Sequence, residues 1–436
     1  MTFIKKPVTG MRDILPREME IRQYLTGIIR ETYRLYGFTQ IETPVVEHIE
    51  NLTSKQGGDN EKLIFKVLKR GEKLAKAVDD LKKAEACENG EEEPAGAASL
   101  TEEGLRYDLT LPLSRYYAAN QGQLPQPFKA LQMGSVFRAD RPQKGRFRQF
   151  MQCDIDVFGD PTNLSEKELI LATTDALDKI GAVSSLGEYH IVINDRRILM
   201  ELVKYAGLPE EDTDKILVVL DKQDKIGPEG VDEELLSMGY EKECVRKLRD
   251  IMTGVEDTAE GAEAFTGKIG TEDALRAGEN VADIIRTVTK VPGRTVRILF
   301  DPTLVRGMGY YTGTIFEIKL EKFASSVGGG GRYDKMVGKF TGQNVPAVGF
   351  SIGFERLMSI LMEDEDFTVE GQREKTCWLI EKGMDNEKLS GIIGEASRER
   401  AAGKEILMVW MAKNKKFQKD GLLQEGYTDI KEFFNK

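Results

Sequence analysis

Apolar residues near the start of the chain recur at helical spacing. Ile21, Tyr24, Leu25, Ile28, Ile29 and Leu35 share one face of a helix expected over 17–36, which Gly37 ends. The period then falls to two. FTQIETPVV reads as a strand containing Pro44, and a residue without a ladder donor places that strand at an edge or interface. LRYDLTLP reads as a half-exposed strand, with Leu105, Tyr107 and Leu109 opposed to Arg106, Asp108 and Thr110. Residues 131–160 read as two strands around a loop. Along the second, Met151, Cys153, Ile155 and Val157 point one way, and Gln152, Asp154 and Asp156 the other. A helix follows over 166–180, then a strand, YHIVIN. From Asp195 the pattern is helical without interruption to about Thr289. Strands return in RTVRILFDPTLVRGMGYYTGTIFEIKL, and AVGFSIGFERLMSIL passes from strand to helix. Beyond a charged linker, EDEDFTVEGQREK, a strand, a helix, a strand and a lysine-rich tail without clear final strands complete the chain.

These changes of period divide the chain into a strand-rich block over 1–194, a helical block over 195–290, a second strand-rich block over 291–365 and a short α/β block over 372–436. A helical block between two strand-rich ones reads as an inserted domain. Residues 69–104 read as a further insert: a charged helix, then a flexible acidic run with six glutamates between Glu88 and Glu103.

The 436 residues suffice for two or three domains, and 40% hydrophobic with 31% charged content is ordinary for a soluble protein. No apolar run approaches the ~20 residues that span a bilayer, and MTFIKKPVTGMRD lacks a signal-peptide core. Cys87, Cys153, Cys244 and Cys377 show neither metal nor disulfide spacing, which implies reduced thiols and a cytoplasmic setting. With only His48 and His190, a histidine-based zinc site or nucleophilic triad is disfavoured. The net charge of −11 argues against nonspecific nucleic-acid binding.

Against that background one loop is basic. RADRPQKGRFR holds Arg138, Arg141, Lys144, Arg146 and Arg148 against a single acid, Asp140, and it adjoins the Asp154–Asp156 row. The pairing suits a ligand anionic at one end and cationic at the other; a solvated hairpin with a charged tip is the plainer reading. GGGGRYD permits close backbone approach but is not a Walker loop, since no GK[ST] follows; GMGYYT is not a Rossmann fingerprint. Arg356, in a first helical turn, opposes the helix dipole, which points either to an anionic or aromatic partner or to solvent. Lys413, Lys415, Lys416 and Lys419 suit phosphate or a solvated face.

Phe137-Arg138-x-Asp140, the basic loop and Arg146-x-x-x-Phe150-x-x-x-Asp154 together resemble the second signature of class II aminoacyl-tRNA synthetases. The helix–strand–proline stretch resembles the first signature, and the Arg356 stretch the third. The wording RPQKGRFRQFMQCDIDVFG, LVRGMGYYTG and GGGGRYD is similar to the histidyl-tRNA synthetase family in particular, with a departure at Gly309, where most of the family has an acid.

The resemblance implies an α+β fold: a mostly antiparallel sheet flanked by helices, a helical insertion and a small anticodon-binding-like α/β domain. It implies a homodimer without membrane contact, acting on L-histidine, ATP with Mg²⁺ and tRNA(His), with no tightly bound prosthetic group. Asp108, Leu109, Thr110, Gln152, Asp156, Arg306, Tyr310, Tyr311 and Tyr333 are expected around histidine. Arg138, Asp140, Phe150 and Arg356 are expected at ATP, and Arg138, Arg306 and Arg356 carry the catalytic charge. Metal ligands are not assigned. A second reading is the regulatory subunit of ATP phosphoribosyltransferase, a related binding protein that would not charge tRNA. Retention of all three arginines opposes it, while Gly309 and the short C-terminal block favour it.

Overall fold

The protein is described from a computed structural model, which covers residues 3–53, 58–85, 100–142, 146–182, 184, 186–306, 309–321, 326–364, 367, 369 and 375–435. Most of the acidic run, including Cys87 and Glu88, lies outside these residues, as do Lys144 and most of the 363–375 linker.

Among the described residues fourteen strands form three sheets: β1 (Thr39–Gln40), β2 (Val46–His48), β3 (Lys66–Leu68), β4 (Thr101–Leu105), β5 (Phe128–Phe137), β6 (Gln149–Phe158), β7 (Tyr189–Asp195), β8 (Ile298–Phe300), β9 (Thr314–Leu320), β10 (Ser326–Arg332), β11 (Ala347–Ile352), β12 (Lys375–Ile380), β13 (Glu405–Trp410) and β14 (Tyr427–Phe433). The chain divides into two compact units, one comprising Met1–Asp13 and Leu25–Phe367, the other Ile14–Tyr24 and Thr368–Lys436. The helix Pro16–Leu35 contributes to both.

The first unit is built on an eight-stranded sheet of order β1-β5-β6-β11-β10-β9-β7-β8, antiparallel except at its two outer pairs. Residues directly opposite one another share a face. One row across the sheet reads Leu131, Ile155, Phe350, Gly330, Phe316, Ile193 and is buried core. The next row, on the other face, reads Gln132, Asp154, Ser351, Gly329, Glu317. The sheet is therefore oily on one side and polar on the other, and the polar side carries the chemistry.

The glycine run GGGG is not a turn but the interior of β10. Gly330 stands directly between Phe316 and Phe350, and without a side chain there the two rings stack across it at 4.8 Å. A Cβ on Gly330 would stand 1.9 Å from the Gly349 carbonyl oxygen.

Several other expectations change. FTQIETPVV is not one strand: β1 joins the large sheet, β2 joins the β2-β4-β3 sheet, and Pro44 lies between them. LRYDLTLP is not a strand beyond Leu105. The Arg106 guanidinium donates to the Thr43 and Ser135 carbonyls, at 2.7 and 2.8 Å, and a helix begins at Thr110, with Pro112 in the first turn where its missing N–H costs nothing. Within the supposed insert, Gly71–Glu85 is the expected helix, but Thr101–Leu105 is β4, the central strand of its sheet.

From Arg196 to Thr289 the described residues are helical throughout, apart from short connections. Asp195, the last residue of β7, caps the first of these helices by accepting from Arg197 N, and Thr258 and Thr271 cap later ones in the same way. The helix Glu272–Thr289 packs on β7, β8 and the helix Leu164–Ala182.

The second unit carries a parallel sheet of order β13-β12-β14 with the helices Asn386–Ala401 and Lys415–Gln424. Trp378, Ile392, Ala396 and Ile406 centre its core. The final strand missing from the sequence reading exists, as β14. It is an edge strand with exposed positions on both sides, so it lacks an apolar alternation.

Gly330→Ala should destabilise the first unit by about 1–3 kcal/mol or more, because only backbone can move to admit the methyl. Gly391→Ala, in an open helix position with nothing near the new methyl, should be neutral or stabilising. Paired thermal melts check both; equal effects would refute the reading of Gly330.

Candidate active site

The polar face gathers three carboxyls and an amide. Asp108, Asp154 and Asp156 are 6, 3 and 2% exposed, and Asp154 and Asp156 stand two residues apart on the same face of β6. Gln152 Nε2 donates to both Asp154 oxygens, at 3.3 and 3.2 Å, and to Ser351 Oγ at 3.1 Å. Asp156 accepts a short hydrogen bond from the Tyr333 hydroxyl. A Cβ at Gly349 would fall 1.9 Å from Asp156 Oδ1, so glycine there is what lets that carboxyl lean across β11. Asp108 accepts from Leu111 N in the first turn of its helix, at 3.1 Å. Gln132 holds that segment down: its Nε2 donates to the Leu109 carbonyl at 3.0 Å.

Burial is the main cause of raised pKa values in all three acids. It lifts Asp108 despite hydrogen bonds from Leu111 and Thr110 and the charge of Arg138. It pushes Asp154 up to about 7 against hydrogen bonds from Ser351 and Gln152, with Asp108's charge adding to the rise. Asp156 is lifted well above the carboxylate range by burial and then by Asp154, against the bond from Tyr333. Buried carboxyls in this condition favour a cationic ligand, which would replace lost hydration and restore the anions. Two buried acceptors, Gln152 Oε1 and Asp156 Oδ2, have no hydrogen-bond partner among the described residues.

Beside the acids lies an aromatic wall. Tyr310 packs on Tyr311 at 4.8 Å and edge-on to Tyr333 at 5.9 Å. Thr110, Tyr310, Tyr311 and Arg306 are electrostatic neighbours in that order, with Thr110 acting on Tyr310, the two tyrosines on each other and Arg306 on Tyr311. Arg306 Nη1 lies 3.7 Å from Glu317 Oε2. A Cβ on Gly329 would fall 2.7 Å from the same Arg306 nitrogen, so the guanidinium lies directly on the bare strand. Burial works to lower the Arg306 pKa, and Tyr311, Glu317 and Tyr310 outweigh it, so the residue stays firmly cationic. Arg356 is lowered by burial, partly offset by Glu317 and reinforced by the charges of Arg146 and Arg306. Arg306 and Arg356 both lie within electrostatic reach of Glu317.

Arg138 lies over the Tyr107 ring at 4.3 Å and the Phe150 ring at 5.1 Å, and its Nε donates to the Tyr107 carbonyl at 3.1 Å. Asp140 is held in a fork by Arg146, at 3.0 and 3.1 Å, and so supports the basic loop. Gly309 is exposed, and its preceding residues Gly307 and Met308 lie outside the described set.

All the residues expected from sequence therefore lie on or beside the polar face of one sheet. Asp154, Ser351, Gln132 and Glu317 were not among them. The period-two alternation of β6 and β9 marks Asp154 and Glu317, whereas Gln132 and Ser351 look like ordinary strand polar residues.

An antiparallel sheet of this order, flanked by helices and carrying an acid row beside an arginine cluster, defines a class II aminoacyl-tRNA synthetase core. A family model described as histidyl-tRNA synthetase matches residues 10–79 and 99–357. The histidine–tRNA ligase of Leifsonia xyli subsp. xyli is 42% identical over 430 residues, spanning 97% of this chain and 94% of that protein. The crystal structure of histidyl-tRNA synthetase from Nostoc sp. PCC 7120 superposes with a TM-score of 0.75 at 26% identity, over 98% of this chain and 90% of that one. A Bacillus halodurans structure described as an ATP phosphoribosyltransferase regulatory subunit/histidyl-tRNA synthetase shares the fold at TM-score 0.75 and 22% identity, covering 99% of each chain. The chain belongs to the histidyl-tRNA synthetase family.

The raised Asp154 pKa has a consequence for stability. With a folded value of about 7 and an ordinary one of 3.8, its contribution is fully present below about pH 4 and is lost as pH rises through 7. Asp154→Asn, neutral throughout, should therefore melt higher than the parent at pH 8 and gain less at pH 5.5. Thermal melts at the two pH values check this; a variant that loses stability most at pH 8 would contradict it.

Proposed function

We infer that the chain is a histidine–tRNA ligase. The observation that carries this is the buried acid row Asp108, Asp154 and Asp156 lying beside the Tyr310–Tyr311 pair and the cationic Arg306. The acids suit an ammonium and an imidazole N–H, and the arginines suit phosphate. In the first step a histidine carboxylate oxygen attacks the α-phosphorus of ATP, and the bond to pyrophosphate breaks, its electron pair leaving with that group. In the second, a hydroxyl of the terminal tRNA ribose attacks the activated carbonyl carbon, loses its proton, and AMP departs.

The attacking carboxylate is already an anion at neutral pH, so no general base is needed. The barrier is the approach of two anions, and it falls through alignment and fixed positive charge. Arg306 bridges the histidine carboxylate and the α-phosphate, and Arg138 meets the α-phosphate from the basic loop. Arg356 meets the adenine or the γ-phosphate, with Phe150 against the base. Asp108, Gln152 and Asp156 receive the ammonium and imidazole, while Leu109, Thr110 and the three tyrosines shape the ring pocket. A pocket of such polar partners rejects analogues that leave them unpaired.

ATP enters as its magnesium complex. That cation would be carried by the phosphates, with Glu317, 3.7 Å from Arg306, a carboxylate nearby. The helical block at 195–290 acts as an inserted domain. The protein works as a homodimer in the cytoplasm, and the segment around Pro44, with Val45 and Val46 exposed, supplies part of the interface. In the second unit Lys415 and Lys419 pair with Glu432, while Lys413, Lys416 and Phe417 are exposed, which suits phosphate contact and base stacking by those three.

Histidine-dependent exchange of pyrophosphate into ATP is the test. Its absence from folded protein would favour the regulatory-subunit reading, which the arginine cluster and the complete β12–β14 sheet oppose. Arg306→Ala should slow adenylate formation on the order of 10²–10³-fold in single-turnover assays, with circular dichroism unchanged and ATP affinity little altered. A near-parental rate would remove Arg306 from the mechanism. Replacing Lys413, Lys416 and Phe417 together by alanine should raise the KM for tRNA in charging and leave pyrophosphate exchange intact; unchanged charging would dismiss that surface.

A further inference from the structure

We propose that Asp154 and Ser351 are positioning residues that lock the Gln152 amide, so that its carbonyl oxygen faces the amino-acid ligand as an acceptor. The inference rests on the reading of Gln152 and Asp156 as receivers of the histidine ammonium.

The argument starts from what each group can donate. A glutamine amide has two N–H donors and one carbonyl acceptor, and the two ends are nearly the same shape. Nothing intrinsic to Gln152 decides which end faces the ligand. Once Asp154 is ionised, as a bound cation favours, its carboxylate only accepts, so the end of Gln152 that meets it must be the NH₂, as the 3.3 and 3.2 Å contacts have it. Ser351 completes the lock. It stands directly across the ladder from Asp154, and its oxygen accepts from Gln152 Nε2 at 3.1 Å. Both amide hydrogens are thereby engaged on the sheet side.

The consequence is a buried acceptor. Gln152 Oε1 is sealed from solvent and has no partner among the described residues, and Asp156 Oδ2, two positions along the same strand face, is in the same condition. An orphaned buried acceptor is costly, and two on one strand face are met together by an ammonium, which offers three donors. The arriving cation also favours the ionised form of Asp154, because an opposite charge nearby stabilises the anion. Binding and locking therefore reinforce each other. Asp154 itself touches no reacting atom in this scheme; it acts through Gln152.

The test is a double-mutant cycle read in pyrophosphate exchange, with the KM for histidine separated from kcat. Asparagine at 154 presents either an oxygen or an NH₂ to Gln152, so the amide is free to turn over. Asp154→Asn should raise the histidine KM on the order of tenfold, the effect of one mispresented hydrogen bond, with kcat at saturating histidine changed by no more than about threefold. In a Gln152→Ala background the same substitution should add nothing, because the group it orients is gone. Asp154→Asn should retain the parental melting temperature or exceed it at pH 8, which a purely structural residue would not do. An unchanged histidine KM in Asp154→Asn, while Gln152→Ala raises it, would overturn the inference and leave the pocket standing. So would equal effects of Asp154→Asn in both backgrounds, or a loss confined to kcat. An unchanged KM in Gln152→Ala would overturn the pocket assignment and this inference with it. Should Asp154→Asn fail to fold, Ser351→Ala loosens the same lock from the neighbouring strand and should raise the histidine KM by a smaller factor; no rise there would also overturn the proposal.

Discussion

The structure depends on a place in the middle of its largest sheet where side chains are missing. Gly329, Gly330 and Gly331 on β10, with Gly349 on β11, form a bare strip flanked by populated strands. On one face the strip lets Phe316 and Phe350 close over Gly330 and weld the core. On the other it lets Arg306 lie flat and Asp156 lean across. A sheet ordinarily uses both faces for packing. Here one face is surrendered to chemistry, and the stacked rings beneath offset the packing that the glycines give up.

On that face, charge is sorted by strand. The acids come from β6 and from the turn before the helix Thr110–Asn120, and the arginines from the loops around β9, from the helix after β11 and from the end of β5. The tyrosines stand between the two sets. Burial raises the acids' pKa values, while Arg306 keeps its charge through neighbouring hydroxyls and Glu317. Arg306 approaches a carboxylate outside the acid row, Glu317 of β9, at a loose 3.7 Å. A ligand carrying both signs completes both halves, which is why a zwitterion and a polyphosphate fit where either alone would fit half.

Legibility in the sequence follows how local each feature is. The acid row of β6 is visible because alternation needs one strand only. The helix-to-glycine endings, the helical block and Arg356's place in a first turn are local for the same reason. The GGGG run is not, because glycine marks turns far more often than strand interiors, and only Phe316 and Phe350, brought alongside by register, explain it. LRYDLTLP misleads because three alternations fit a strand as well as an irregular segment, and the deciding contacts reach back to Thr43 and on to Ser135. Asp154 is visible as an acid, yet its use depends on Ser351, from a strand almost two hundred residues on. β14 hides because an exposed edge strand has no inner face to write into the sequence.

The row of neighbours Thr110, Tyr310, Tyr311 and Arg306 bears on accuracy in the function proposed above. The tyrosines proposed to meet the imidazole and the arginine proposed to drive activation influence one another electrostatically. In that function, an amino acid that left Tyr310 unpressed would also leave Arg306 less firmly aimed, so a poor fit would be punished twice, in occupancy and again in turnover. Discrimination of this kind multiplies rather than adds. For an amino acid whose ring no other standard residue reproduces, it would lessen the need for a separate step that destroys mistakes after they are made.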